Sequence, residues 1–206
     1  MHDFTPGLTT SGLARMLLML CLHGALQSAF IWGRWRVFRI DGEVPLGVRV
    51  IEVVAGLCLV SGAALICFRG NLAWGFDALA VGLAAVSGAL FAWGTAHVGR
   101  LALTAAFSCD VPLRLITSGP YRWLRHPFYA AYLLAQLFVL AASASPWAVP
   151  LFVAMAVIYV TAARYEERKF ASSPLAAERA RYVRATGAFW PRLMPRIERR
   201  IGADQP

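Results

Sequence analysis

The sequence predicts an all-α integral membrane bundle of about five spans, and three observations carry that expectation. The chain is too apolar for water: 59% of its 206 residues are hydrophobic, only 15% are charged, and mean hydropathy is +0.58, beyond the usual balance of a soluble domain. Its apolar residues gather into runs near the roughly 20 needed to cross a bilayer core. Its basic residues then fall almost wholly on one side when those runs are laid out as alternating spans.

The first span covers about Leu13 to Trp32 and is interrupted by Arg15, His23 and Gln27. A cleaved signal peptide is the alternative, but the N-terminus is charge-poor and lacks a clear small-x-small cleavage site, so a retained helix is expected. The second span runs about Val48 to Phe68 and the third about Leu72 to His97. The fourth, about Phe128 to Ser143, and the fifth, about Trp147 to Ala163, are short. The connector Ser143-Ala144-Ser145-Pro146 has turn chemistry, so these two form a helical hairpin. Residues 1–97 thus make an N-terminal three-helix region. Residues 98–206 make a second region of polar loop, hairpin and basic tail.

Alternation puts Arg34, Arg36, Arg39, Arg49, Arg100, Arg114, Arg122, Arg125 and the whole basic tail from Arg164 on one side. Of the 20 Lys and Arg residues only Arg15 and Arg69 lie opposite. An odd span count is needed for this, with the N-terminus outside, the C-terminus cytoplasmic, and the inner membrane as the location. Trp32, Trp74, Trp93, Trp123 and Trp147 fall near proposed span ends, as interfacial anchors do. The net charge of +9 therefore reads as a face for anionic lipid headgroups and not as a nucleic-acid surface. The four cysteines, Cys21, Cys58, Cys67 and Cys109, show no metal or redox spacing and read as packing residues. No metal site, internal repeat or low-complexity tract is evident.

Two polar stretches, residues 98–127 and the tail from Arg164, lie on the expected cytoplasmic side and flank the hairpin. A site formed there and capped by the tail is expected. The segment "LITSGPYRWLRHPFY" resembles the signature that opens the last hairpin of the isoprenylcysteine carboxyl methyltransferase and phospholipid methyltransferase superfamily of membrane enzymes. "RYEERKF" resembles their acidic-pair signature, and "RYVRATGAFWPRLMP", which includes Tyr182, their closing motif. Together the three cover roughly residues 98–196.

The resemblance implies S-adenosyl-L-methionine as cofactor and a lipophilic small molecule or lipid as acceptor, entering from the membrane. It places Gly119, Tyr121, Arg122, His126, Pro127, Tyr129, Glu166 and Glu167 at the cofactor, and points to Arg125, Arg164 and Glu167 for the chemistry. Such a cofactor presents an ammonium, a carboxylate and ribose hydroxyls, so it needs acceptors such as glutamate and donors such as arginine. Adjacent on a helix, Glu166 and Glu167 point about 100° apart, so one is expected to face the cofactor and the other to pair with an arginine. Pro127 suits the first turn of its helix, whose free N–H groups suit an anion.

Each feature also has a plain reading. The aromatic residues suit an interfacial belt, the arginines suit snorkelling anchors, and an isolated acidic pair suits a solvated helix. The sequence departs from the prenylcysteine enzymes at Ala162, where they tend to carry an arginine, with Arg164 the nearest replacement. Ala185 replaces a second tyrosine of the closing motif, and the link from the acidic pair to Tyr182 is a few residues longer. O-methylation of a carboxylate or hydroxyl is the preferred reading. N-methylation of a phospholipid amine is the first alternative and a non-catalytic scaffold the second. Glu52 and Asp77 lie in or near spans, where ionisable groups are expensive and often functional. Asp110 is a candidate base for a phenolic acceptor.

Overall fold

The structure, a computed structural model, describes residues 10–40, 43–68, 74–99, 103, 104, 107 and 114–192. Its elements in chain order are α1 (Thr10–Val37), β1 (Phe38–Arg39), α2 (Leu46–Cys67), α3 (Trp74–His97), β2 (Leu103–Thr104), a 3-10 turn (Gly119–Arg122), α4 (Pro127–Ser143), α5 (Ala148–Ala171) and α6 (Ala176–Ala185). The two strands form one two-residue parallel ladder, Phe38 to Leu103 and Arg39 to Thr104. That ladder ties the end of α1 to the chain beyond α3 on one face of an otherwise all-α bundle. Arg69, Arg100, Cys109, Asp110, Arg196, Arg199 and Arg200 lie outside the described residues.

Four helices, α1, α2, α3 and α5, are long and apolar enough to cross a membrane, and α4 is the shorter fifth apolar helix. The chain is a multi-pass membrane protein. Leu17, Val53, Leu57, Val60, Val86 and Val157 are among the large apolar side chains left exposed on these helices, as a lipid-facing surface requires. At 17 residues, α4 reaches only about 25 Å. It tolerates this because it is the central helix: Phe128, Ala131, Ala135, Phe138, Val139 and Ala142 are all buried, so its ends meet protein and not hydrocarbon.

Lipid tails are as apolar as leucine, so close packing and hydrogen bonding hold such helices together. The alanines of α4 let α3 approach, and across that seam the Ser87 hydroxyl donates to the Ala131 carbonyl at 2.7 Å. A buried bond of this kind in a membrane bundle contributes about 0.6 kcal/mol. Phe30, Phe91, Phe128 and Tyr132 add an edge-on cluster, with centroids 4.8–5.4 Å apart for Phe30–Tyr132, Phe30–Phe91 and Phe91–Phe128. The expected hairpin forms between α4 and α5. Its turn places Ala144 in the left-handed region at φ 44°, with its N–H donating to the Leu140 carbonyl at 2.9 Å.

Hydropathy placed the helix ends less well than their centres. α1 continues past Trp32 to Val37 and α5 continues past Ala163 to Ala171. Arginine and glutamate are good helix formers, so a helix persists where its apolar run stops. Glu52 of α2 and Asp77 of α3 are both paired to α1: Arg15 Nε lies 3.6 Å from Asp77 Oδ2, and Arg34 Nη2 lies 3.1 Å from Glu52 Oε1.

Candidate functional site

The site is assembled at the end of the bundle where α4 begins and α5 ends. Pro127 is the first residue of α4 and His126 its N-cap, as the missing proline N–H favours. The tail returns over this point. Arg125 N–H donates to the Gly187 carbonyl at 2.8 Å, His126 N–H to the Ala188 carbonyl at 3.0 Å, and Gly187 N–H to the Trp123 carbonyl at 3.1 Å. Gly187 has no room for a side chain, because a Cβ there would run into the Trp190 carbonyl. From α6 the buried Tyr182 hydroxyl donates to the Tyr121 carbonyl at 2.6 Å. Burial pushes that phenol up to about 12.

The acidic pair divides as its helical spacing requires. Glu167 is the structural partner. Arg125 Nε donates to its Oε1 at 2.8 Å, while Arg125 Nη1 donates to the Thr186 carbonyl at 2.6 Å. One arginine thus ties the start of α4, the end of α5 and the tail together. Glu166 lines a polar cavity instead and accepts from the Tyr129 hydroxyl at 2.5 Å.

Between the two carboxylates sits the buried imidazole of His126. Its Nδ1 is 3.5 Å from Glu166 Oε2 and its Nε2 is 3.4 Å from Glu167 Oε1. Burial alone would lower its pKa, but hydrogen bonding to Glu166 and Glu167 outweighs that and raises it above the ordinary histidine value. Tyr129 stacks on the ring at 5.6 Å.

Two cavities meet here. The more polar one, about 80 Å³, has Arg114, Arg125, His126, Glu166, Lys169 and Arg179 among its lining residues, with Tyr121, Phe128 and Tyr129 and an aliphatic side of Leu103, Leu115 and Ile116. The second, about 330 Å³, lies among α1, α2, α4 and α5 and is mostly apolar, with Gln27, Arg34, Glu52, Tyr132 and Gln136 as its polar positions. Phe38 and Tyr129 line both, so these two side chains form the wall between a polar and an apolar chamber.

Of the residues singled out in the sequence, the structure brings Tyr121, Arg125, His126, Pro127, Tyr129, Glu166 and Glu167 together. Glu167 joins them through its ion pairs without lining either cavity, and three others stand apart from the cluster. Arg122 is exposed, with its guanidinium 6.0 Å from the Trp123 ring centroid. Arg164 is exposed. Gly119 is a turn residue at φ 59°, and a Cβ there would strike the His97 ring. Arg179 was not singled out by the sequence. Its one cue is its place three residues before Tyr182, and the alternating arginines of "ERARYVR" give no reason to choose it over its neighbours.

Residues 76–175 match the family described as phospholipid methyltransferase. That stretch is 100 of the 206 residues, just under half of the chain. It contains α4, α5 and all but the first two residues of α3, and with them the whole His126, Glu166 and Glu167 cluster. Arg179, Tyr182, Arg34 and Glu52 lie beyond it. The phospholipid methyltransferase family is part of the isoprenylcysteine carboxyl methyltransferase-like superfamily of membrane methyltransferases. The chain is also similar to the cobalt-zinc-cadmium resistance protein CzcN of Cupriavidus metallidurans, with 42% identity over 100 residues. That match covers 48% of this chain and 45% of the relative, so the chain spans less than half of that protein's length.

Proposed function

We propose that this protein is an S-adenosyl-L-methionine-dependent methyltransferase acting on a lipophilic acceptor, with O-methylation of a carboxylate or hydroxyl as its reaction. The observation that carries the reading is the pair of chambers sharing one wall at Tyr129. One is small and carries charged side chains, and the other is larger and mostly apolar.

The residues of the polar chamber fit the amino-acid end of that cofactor, and its volume of about 80 Å³ takes only that part of the molecule. Glu166 is an acceptor facing the cavity, and the buried Arg179 has an Nε without a hydrogen-bond partner among the described residues. When bound, the cofactor supplies an electrophilic methyl carbon on a sulfonium. Glu166 would hold cationic or hydroxyl donors, and the aromatic faces of Tyr121, Phe128 and Tyr129 would keep water out. With its hydroxyl already given to Glu166, Tyr129 serves as a wall and an orienting group and not as a base. A carboxylate acceptor needs no base, so alignment and exclusion of water suffice. A phenolic acceptor would need one, and Asp110, proposed for that part, lies outside the described residues.

The apolar chamber supports a lipophilic acceptor. Its size is within the lower range of small-molecule sites, and its lining includes Ile31 and Trp35, which are 54% and 74% exposed on α1. An acceptor tail could therefore reach the bilayer. Arg34 in the same chamber favours an anionic head. The alternative, N-methylation of a phospholipid amine, is favoured by the family description and by the Glu52 carboxylate beside Arg34. The metal-resistance name of the C. metallidurans relative brings no ligand set to this reading, for the described residues include no group of three or more His, Cys, Asp or Glu arranged to hold a metal. Concentration of arginine at the end of the bundle that carries the site supports a cytoplasmic site in the inner membrane.

The test is transfer of radiolabelled methyl from S-adenosylmethionine to lipid extract by membranes containing the protein. Label released as methanol by mild base marks a carboxyl ester, and base-stable label on the oxygen of a lipid without an amine marks a methyl ether, the two products of the proposed reaction. Base-stable label on an ethanolamine phospholipid would establish the amine reading instead. No transfer to any extract, with the protein folded and abundant, would contradict both.

A further inference from the structure

We infer that Arg179 forms the carboxylate-binding subsite of the polar chamber and holds the α-carboxylate at the amino-acid end of S-adenosylmethionine. The inference rests on the methyl donor proposed above.

Three guanidinium groups line this chamber: Arg114 is exposed to solvent, and the other two are in different states. Arg125 is spent: its Nε and Nη1 reach Glu167 and Thr186 at 2.8 and 2.6 Å. Arg179 is not. It is only 6% exposed, yet its Nε has no hydrogen-bond partner among the described residues. Its Nη2 stays 3.8 Å from Glu167 Oε1, beyond hydrogen-bonding distance. Its guanidinium is held over the rings of Phe170 and Tyr182, 4.8 and 5.3 Å from their centroids. The cation is therefore placed and oriented by packing on two aromatic faces, while its donors are left over.

Burying a cation without satisfying its donors is costly, and the chamber it lines offers the remedy. At about 80 Å³ it has space for several water molecules, which is also the scale of a carboxylate. A guanidinium fork matches a carboxylate better than any other common side chain does. Glu166, lining the same chamber, remains available for the ammonium beside that carboxylate. Arg179 and Glu166 thus supply opposite charges to the two ends of an amino-acid zwitterion. Because Arg179 lies beyond residues 76–175, this subsite is contributed by the C-terminal tail, and docking of the tail completes the cofactor site.

The experiment is equilibrium binding of two ligands to purified, detergent-solubilised full-length protein: S-adenosylmethionine and its decarboxylated form, which differ only in that carboxylate. Wild type should prefer the carboxylated ligand by about 10- to 100-fold, the range for a charge-assisted hydrogen-bonded pair. Arg179→Gln should weaken S-adenosylmethionine by a similar factor and leave the decarboxylated ligand within about twofold of wild type, so that the preference disappears. Arg179→Lys, which keeps the charge and loses the fork, should retain part of the preference. Unchanged preference in Arg179→Gln, or equal weakening of both ligands, would overturn the assignment. Failure of wild type to bind either ligand would overturn the methyl-donor reading beneath it, a separate result.

Discussion

Arg125→Met should release the C-terminal tail from the bundle. The side chain makes a charge-assisted bond to Glu167 at 2.8 Å and a bond to the Thr186 carbonyl at 2.6 Å. Only about 10% of it is exposed. Removing one partner of a buried, charged pair costs about 3–5 kcal/mol. Glu167 is 34% exposed and keeps His126 and Arg179 nearby, so the lower end, about 3 kcal/mol, is the better figure. If the loss falls on tail docking, the open population rises about 150-fold. Arg125→Lys keeps one charged contact and loses the fork, and should cost about half as much. The assay is tryptic cleavage at Arg181 and Arg184, both exposed on α6, in detergent under conditions where cleavage follows the opening equilibrium. Cleavage of Arg125→Met at the wild-type rate would refute the claim that this arginine ties the tail down.

Three further outcomes follow from the geometry. Ala144→Gly relieves a left-handed alanine at φ 44° and should stabilise by about 0.5–1 kcal/mol, read as a rise of about 2 °C in thermal midpoint. Gly119→Ala should destabilise by at least about 1–2 kcal/mol, since the residue sits at φ 59° and its new methyl would meet the His97 ring; in thermal melts, adding His97→Ala should recover the steric part and leave the backbone part. Because the folded His126 pKa is raised by its two carboxylates against burial, its contribution is complete below the ordinary histidine pKa of about 6.5. It is lost as pH rises through the folded value. Wild-type stability should therefore fall over that range above about pH 6.5, and His126→Gln should flatten this part of the midpoint-against-pH curve.

The bundle was legible because lipid selects apolar runs, and each run became a helix. Helix ends were less so, as α5 shows: hydropathy stops at Ala163 while the helix carries Glu166 and Glu167 on to Ala171. Helical geometry indicated that those glutamates point apart, but not which of them meets Arg125. Arg164 was expected near the chemistry as the nearest replacement for the arginine that the prenylcysteine enzymes tend to carry at Ala162, but it is exposed and lines neither chamber. The apolar chamber had no sequence signal. Gln27, Arg34, Glu52, Tyr132 and Gln136 come from three helices, and only packing brings them together. Arg179 was hidden for a similar reason, since what distinguishes it from Arg181 and Arg184 is burial over Phe170 and Tyr182, a property of the docked tail.

The most direct measurement is calorimetric titration of S-adenosylmethionine into purified wild-type protein, beside a Glu166→Gln, Glu167→Gln double variant. Saturable one-site binding with a Kd of about 1–100 μM, abolished or greatly weakened in the double variant, is the predicted result. Absence of binding to wild type that is folded, with its tail resistant to trypsin, would contradict the proposal that this cluster holds a methyl donor.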